Sequence, residues 1–168
     1  MSLSPAQLPP ESLVCLMKPT TFSKMDPKVT RYLVVEDDDD HAQLIARNLR
    51  GERAGNVLNR AHDGVEALAY LRKEPPFEDA PRPDVILLDL KMPKLDGHEV
   101  LKAIRADSNL ASIPVIIITT SDAESDRSRA YEHHVNSYLV KPANFTDFRQ
   151  MLHDLSRYWG TWNHPAHV

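Results

Sequence analysis

The chain has 168 residues, 42% hydrophobic and 26% charged, a size and balance that fit one ordinary globular domain with short extensions. Its formal charge of −4, without any basic stripe, excludes the electrostatic footprint of a nucleic-acid-binding protein, and its lone cysteine, Cys15, excludes a disulfide framework or a cysteine metal site within one chain. The apolar stretches fall well below the ~18 residues that span a bilayer, and Ser12 to Met17 is too short and too weakly flanked for a signal peptide, so a cytoplasmic protein without membrane contact is expected.

Residues 1–28 carry five prolines (Pro5, Pro9, Pro10, Pro19 and Pro27) and no sustained period, which reads as an irregular arm; Met17 and Met25 are alternative starts. A regular alternation follows over residues 29–158. Arg31 to Val35 reads as a strand, and Asp40 to Glu52 as a helix that turns Ala42, Ile45, Ala46 and Leu49 inward. Val57 to Arg60 is a polar strand suited to a sheet edge, and Gly64 to Lys73 a helix with Val65, Leu68, Ala69 and Leu71 on its buried side. Four prolines between Glu74 and Pro83 break regular structure. Asp84 to Leu88 is then the central strand, Gly97 to Ala106 a helix, Val115 to Thr119 a strand, Ala123 to His134 a helix, Asn136 to Val140 a strand and Phe145 to Tyr158 a helix. Residues 159–168 form a tail bearing Trp159 and Trp162, too short for an output module, so the domain is expected to act through its own surface. Five βα units predict an α/β fold, a flavodoxin-like five-stranded parallel sheet of order 2-1-3-4-5 with helices on both faces.

In such a sheet the strand C-termini share one edge, and here each of four apolar strands delivers a polar group there. Glu36 and Asp37 follow Leu33-Val34-Val35, Asp89 follows Val85-Ile86-Leu87-Leu88, Thr119 closes Val115-Ile116-Ile117-Ile118, and Lys141 follows Tyr138-Leu139-Val140. A lone Asp at a strand end would read as a turn cap; the convergence changes that reading. Three carboxylates are too much negative charge for one small cleft unless a cation balances them, and an all-oxygen set favours a hard ion such as Mg²⁺. Mg²⁺ takes few protein carboxylates and completes its shell with waters and phosphate oxygens, so a phosphoryl group is the natural companion. Thr119 can donate a hydroxyl hydrogen bond to a phosphoryl oxygen and Lys141 can place a point charge on another. The chemistry indicated is formation of an aspartyl phosphate at Asp89.

These residues, spaced 119 − 89 = 30 and 141 − 119 = 22 apart, resemble the receiver domain of bacterial two-component response regulators, over about residues 31 to 158. The resemblance implies Asp89 as phosphoacceptor, Asp37 as a direct Mg²⁺ ligand, Glu36 as a ligand through water, and the Lys91 backbone carbonyl as a further ligand. It implies that Thr119 and Lys141 hold phosphoryl oxygens and that Tyr138 changes rotamer together with Thr119. Lys141-Pro142 resembles the family's cis-peptide site. The acidic run from Glu36 to Asp40 permits a shift by one, with Asp38 in the ligand place, but Val35-Glu36-Asp37 matches the family register; Asp39 and Asp40 would then cap the first helix.

The stretch from Tyr131 to Tyr138, with His-Val-Asn before the last strand, and the tail Tyr158-Trp159-Gly160-Thr161-Trp162 resemble the single-domain regulators paired with cyanobacterial and bacterial phytochromes. That resemblance implies a phosphohistidine donor on a light-sensing histidine kinase and a homodimer formed by the face of the last strand and last helix. The alternative for the tail is that its tryptophans fold back onto their own domain.

Other readings fare worse. His133 and His134, adjacent on the expected helix, point ~100° apart and do not chelate one ion. Ala42 stands where an EF-hand loop needs glycine. A haloacid-dehalogenase-type hydrolase needs a second acid two residues after its nucleophile, where this chain has Lys91, so a dedicated enzyme is not expected. A pseudo-receiver would not retain the acid pair, acceptor, hydroxyl and lysine together. A phosphate sink or relay intermediate is the alternative role for the same chemistry.

Overall fold

The computed structural model describes residues 29–52 and 55–163; the expected arm and Cys15 lie outside them. Five strands, β1 (Arg31–Val35), β2 (Val57–Ala61), β3 (Val85–Leu88), β4 (Val115–Thr119) and β5 (Ser137–Val140), alternate with five helices: α1 (Asp39–Glu52), α2 (Gly64–Arg72), α3 (Gly97–Ala106), α4 (Glu124–Glu132) and α5 (Phe145–Arg157). The strands form one parallel sheet of order β2-β1-β3-β4-β5. β3 and β4 are buried along their whole length, as continuous β-branched runs covered on both faces should be. The polar strand β2 is at one edge, as its composition indicated, and the half-buried β5 is at the other.

Alternation along the strands divides the interior into two cores. Leu33, Val35, Ile86, Leu88 and Ile117 point toward α2, α3 and α4, meeting Ala67, Tyr70, Val100, Leu101, Ile104 and Ala130. Tyr32, Val34, Leu87, Ile116 and Ile118 point the other way, onto Ile45 and Leu49 of α1 and Phe148, Leu152 and Leu155 of α5. Helices therefore cover both faces.

Several local expectations are corrected. Val65 is 54% exposed; the buried positions of α2 are Gly64, Ala67, Tyr70 and Leu71. That helix is apolar on more than one side, so its pattern permitted two inward faces, and the one that packs against α3 wins. α1 begins at Asp39, and its cap is Asp38, whose Oδ1 accepts from the His41 amide at 2.8 Å. α4 ends at Glu132; His134, at φ 57°, lies in a left-handed turn outside any helix. The cis peptide bond among the described residues is Pro75-Pro76, not Lys141-Pro142, whose trans form is the intrinsically preferred isomer of an X-Pro bond. After α5 the chain makes a π-helical turn over Tyr158–Trp162. Trp159 packs against the α1–α5 core with its ring edge-on to Tyr158, so part of the tail does fold back on its own domain.

Candidate functional site

Parallel register brings the polar strand ends together. Val35 pairs with Leu88, Leu88 with Ile117 and Thr119 with Val140, so the residues that follow leave the sheet side by side. Backbone bonds continue the ladder past the strands: Asp89 N–H donates to the Val35 carbonyl at 3.0 Å and Lys141 N–H to the Thr119 carbonyl at 2.7 Å. Gly97, opening α3, fixes the height of Asp89: a Cβ there would come within 2.3 Å of the Asp89 carbonyl oxygen, a distance only glycine permits.

At this edge Lys141 Nζ donates to Asp89 Oδ2 at 2.6 Å and to Glu36 Oε2 at 2.7 Å. All three residues are buried. Burial alone would push the Lys141 ammonium toward its neutral form, but its hydrogen bonds to Asp89 and Glu36 outweigh that and hold its pKa above the ordinary value. For Glu36 burial is the largest influence, and it raises the carboxyl above its ordinary range despite the opposing pull of Lys141. A buried pair of this kind repays its desolvation only because one ammonium serves two acceptors at short range. Asp89 Oδ1 also accepts from the Lys91 amide at 3.1 Å, which fixes the carboxylate plane from the loop side.

Asp37 is exposed beside this triad. Its loop is fastened by Arg60 of β2, which donates to the Glu36 carbonyl at 3.0 Å, the Asp37 carbonyl at 3.1 Å and Asp39 Oδ1 at 2.6 Å. Asp38 is engaged as the α1 cap, and its carboxyl lies below its ordinary range, first through the His41 amide and in smaller part through the Lys141 charge. Thr119 is fully buried, and its Oγ1 accepts from the Ser121 amide at 3.2 Å. Tyr138 donates its hydroxyl to the Ser121 carbonyl at 3.0 Å.

Among the described residues no three His, Cys, Asp or Glu side chains are gathered as a metal site, and Lys141 bridges Glu36 and Asp89. The donor set nonetheless fits a hard divalent cation. Glu36, Asp37 and Asp89 supply three carboxylates, Lys141 is a single ammonium among them, and every donor atom is oxygen.

Three residues here escaped sequence reasoning. His41 Nδ1 lies 3.3 Å from Lys141 Nζ and 3.7 Å from Glu36 Oε1; its position in the first turn of α1, directly after the acidic run, was the available signal. Arg60 carried no signal beyond a cation on an edge strand. Ser121, two residues after Thr119, sat in a loop with nothing to single it out.

The family model described as "Response regulator receiver domain" matches residues 32–153. "Response regulator Rcp1" of Synechocystis sp. (strain ATCC 27184 / PCC 6803 / Kazusa) is 40% identical over 133 residues, covering 79% of this chain and 89% of that protein. "Probable methanogenesis regulatory protein FilR2" of Methanothrix harundinacea (strain 6Ac) is 45% identical over 134 residues, covering 78% and 84%. The crystal structure of the phosphorylated cyanobacterial phytochrome response regulator RcpA superposes with a TM-score of 0.79 at 37% identity, over 82% of this chain and 98% of that one. The Mn²⁺-bound form of Rcp1 gives the same TM-score at 36% identity, over 82% and 99%.

Proposed function

Since this chain belongs to the response regulator receiver-domain family, whose members are signalling proteins phosphorylated by histidine kinases, we propose that Asp89 is its phosphoacceptor and that residues 29–158 form the working receiver. The observation that carries this reading is the buried bridge from Lys141 Nζ to Asp89 and Glu36. A lysine so placed holds one Asp89 oxygen in a fixed direction and stands within reach of an oxygen on any group bonded to the other. An Asp89 oxygen attacks phosphorus in line, the bond from phosphorus to the donor's imidazole nitrogen breaks, and the electron pair leaves with the imidazole. Lys141 then takes one phosphoryl oxygen and the Thr119 hydroxyl donates to another.

Glu36, Asp37, Asp89 and the Lys91 carbonyl would hold the divalent ion, Mg²⁺ in this reading. When bound, the ion neutralises charge on the phosphoryl oxygens. The same residues favour slow hydrolysis of the phosphoaspartate, a timer and not a dedicated enzyme activity.

Similarity to Rcp1 and RcpA supports a phytochrome-type histidine kinase as donor. Signalling through the domain's own surface is supported by exposed aromatics on α5 and the turn after it: Phe145, Tyr158 and Trp162 are 59%, 53% and 55% exposed. Tyr158 lines a cleft with Ser137 and Leu139 of the edge strand β5, and a homodimer across this face is the readout we infer, with Thr119 and Tyr138 carrying the change to it. Incubation with acetyl phosphate and Mg²⁺ should add one phosphoryl mass to the wild-type protein and none to Asp89→Asn. Equal uptake by the variant would remove Asp89 from the role. Sedimentation with beryllofluoride, a mimic of the aspartyl phosphate, should move the wild type toward dimer.

A further inference from the structure

Between β4 and α4 the chain makes a short loop, residues 120–123, in which Ser121 is bonded in three directions. Its amide donates to Thr119 Oγ1 at 3.2 Å, its carbonyl accepts from the Tyr138 hydroxyl at 3.0 Å, and its own hydroxyl donates to Asp126 Oδ2 in the first turn of α4. Ser121 is buried and Thr119 fully so. The hydroxyl meant for the phosphoryl group and the hydroxyl meant for the switch are therefore both tied to one residue. That residue is held from α4 by a single carboxylate.

Asp126 is not spent on its own helix. It is the third residue of α4, where a carboxylate commonly reaches back to the cap amide, and the cap here, Ala123, makes no side-chain bond. Its carboxyl lies below its ordinary range, first because of the Ser121 hydroxyl, so it is an ionised, acceptor-only group. The nearest basic neighbour is His98 of α3, whose Nε2 stands 3.6 Å from Asp126 Oδ1, beyond hydrogen-bond length. His98 is 4% exposed, and neither of its ring nitrogens has a hydrogen bond among the described residues.

We propose that Asp126 is a positioning residue for phosphoryl transfer: through Ser121 it holds the Thr119 and Tyr138 hydroxyls in register with Asp89. The bonding supplies the reason. With the Ser121 amide on one lone pair of Thr119 Oγ1, the threonine hydroxyl is left to donate its proton, which is what a phosphoryl oxygen needs. Removing the carboxylate leaves the Ser121 hydroxyl without its charged partner and frees the loop that orients both groups. The inference rests on the reading of Asp89 as phosphoacceptor.

The test uses the full chain with Asp126→Ala, Ser121→Ala and the double variant, at saturating Mg²⁺ and acetyl phosphate. Each single change should slow phosphoryl uptake about tenfold, the loss expected for one hydrogen bond to a charged group. The double variant should be no slower than the slower single, since both act on one contact. Without any phosphodonor, NMR should show the Thr119 methyl and Tyr138 ring resonances moving in all three variants while the remaining core signals hold. Uptake within twofold of wild type in both singles, or losses that multiply in the double, would overturn the proposal. Should Asp126→Ala not fold, Asp126→Asn keeps the shape and weakens the bond, and a smaller slowing of the same kind is expected; none would count against the proposal. If the wild type takes up no phosphoryl group, the Asp89 reading has failed. The resonances then judge the latch alone: unmoved Thr119 and Tyr138 signals in Asp126→Ala overturn it, and moved signals sustain it.

Discussion

α4 and α5 cover opposite faces of the same sheet, and they are held there by different means. α5 buries Phe148, Leu152, Leu155 and Ser156 and is capped by Asn144, whose side chain accepts from the Asp147 amide at 2.8 Å. α4 buries only Ala130, begins at an uncapped Ala123, and is otherwise covered with exposed pairs such as Arg127 with Asp122 and Glu124. One helix is anchored by packing and the other by polar contacts at its first turn. An element tied down by few buried groups is the cheaper one to move.

The sharpest way to break this contrast is to cut into each helix. Leu152→Ala in α5 should lower unfolding free energy by about 2–5 kcal/mol in urea titrations, whereas Arg127→Ala in α4 should change it by about 0.5 kcal/mol or less. Comparable losses would mean that α4 is anchored as firmly as α5. The caps offer a smaller and reciprocal test. Asn144→Ala should cost about 1 kcal/mol, while Ala123→Ser, placed on an extended backbone at φ −68° and ψ 129°, should gain up to about 1 kcal/mol by supplying the missing acceptor. If the serine gains nothing in thermal melts, the α4 terminus is satisfied in some other way.

The smallest expected effect concerns acid. Burial first, and then the charge of Arg129, hold the His98 imidazole below its ordinary pKa of 6.5, against the pull of Asp96 and Asp126. The unfolded chain takes up that proton near 6.5 while the folded protein resists it, so stability present above 6.5 is lost as the pH falls below it. Relative to His98→Leu, the wild type should therefore lose melting temperature between pH 7.5 and pH 5. A constant difference across that range would show that His98 does not resist its proton in the fold.

Much of this architecture was legible because strong local patterns agree with the global fold. Continuous runs such as Val85 to Leu88 and Val115 to Thr119 permit few other placements, and the polar residues closing them arrive at one edge for topological reasons alone. Where the local pattern was degenerate, it misled. Four consecutive aspartates look alike in every register, so only the turn of the backbone selects Asp38 as the cap. The helix from Gly64 offered two apolar faces, and only contact with α3 turns Val65 outward. The parts that went unread, namely His41, Arg60 and Ser121 of the candidate site and Asp126 behind it, act through tertiary bonds. Arg60 meets the acidic loop from 24 residues away, and no local spacing announces such a contact.

The bridge made by Lys141 also ties the site to the last strand of the domain. Its partners Glu36 and Asp89 precede it by 105 and 52 residues, so a chain released only as far as β4 has two inward carboxylates and no cation between them. Closing the sheet edge in that condition would bury unpaired charge, at a cost of several kcal/mol per ion. Until the last strand delivers its lysine, these carboxylates must stay hydrated, take up protons or hold another cation, so the site reaches its folded charge balance only when the sheet is complete.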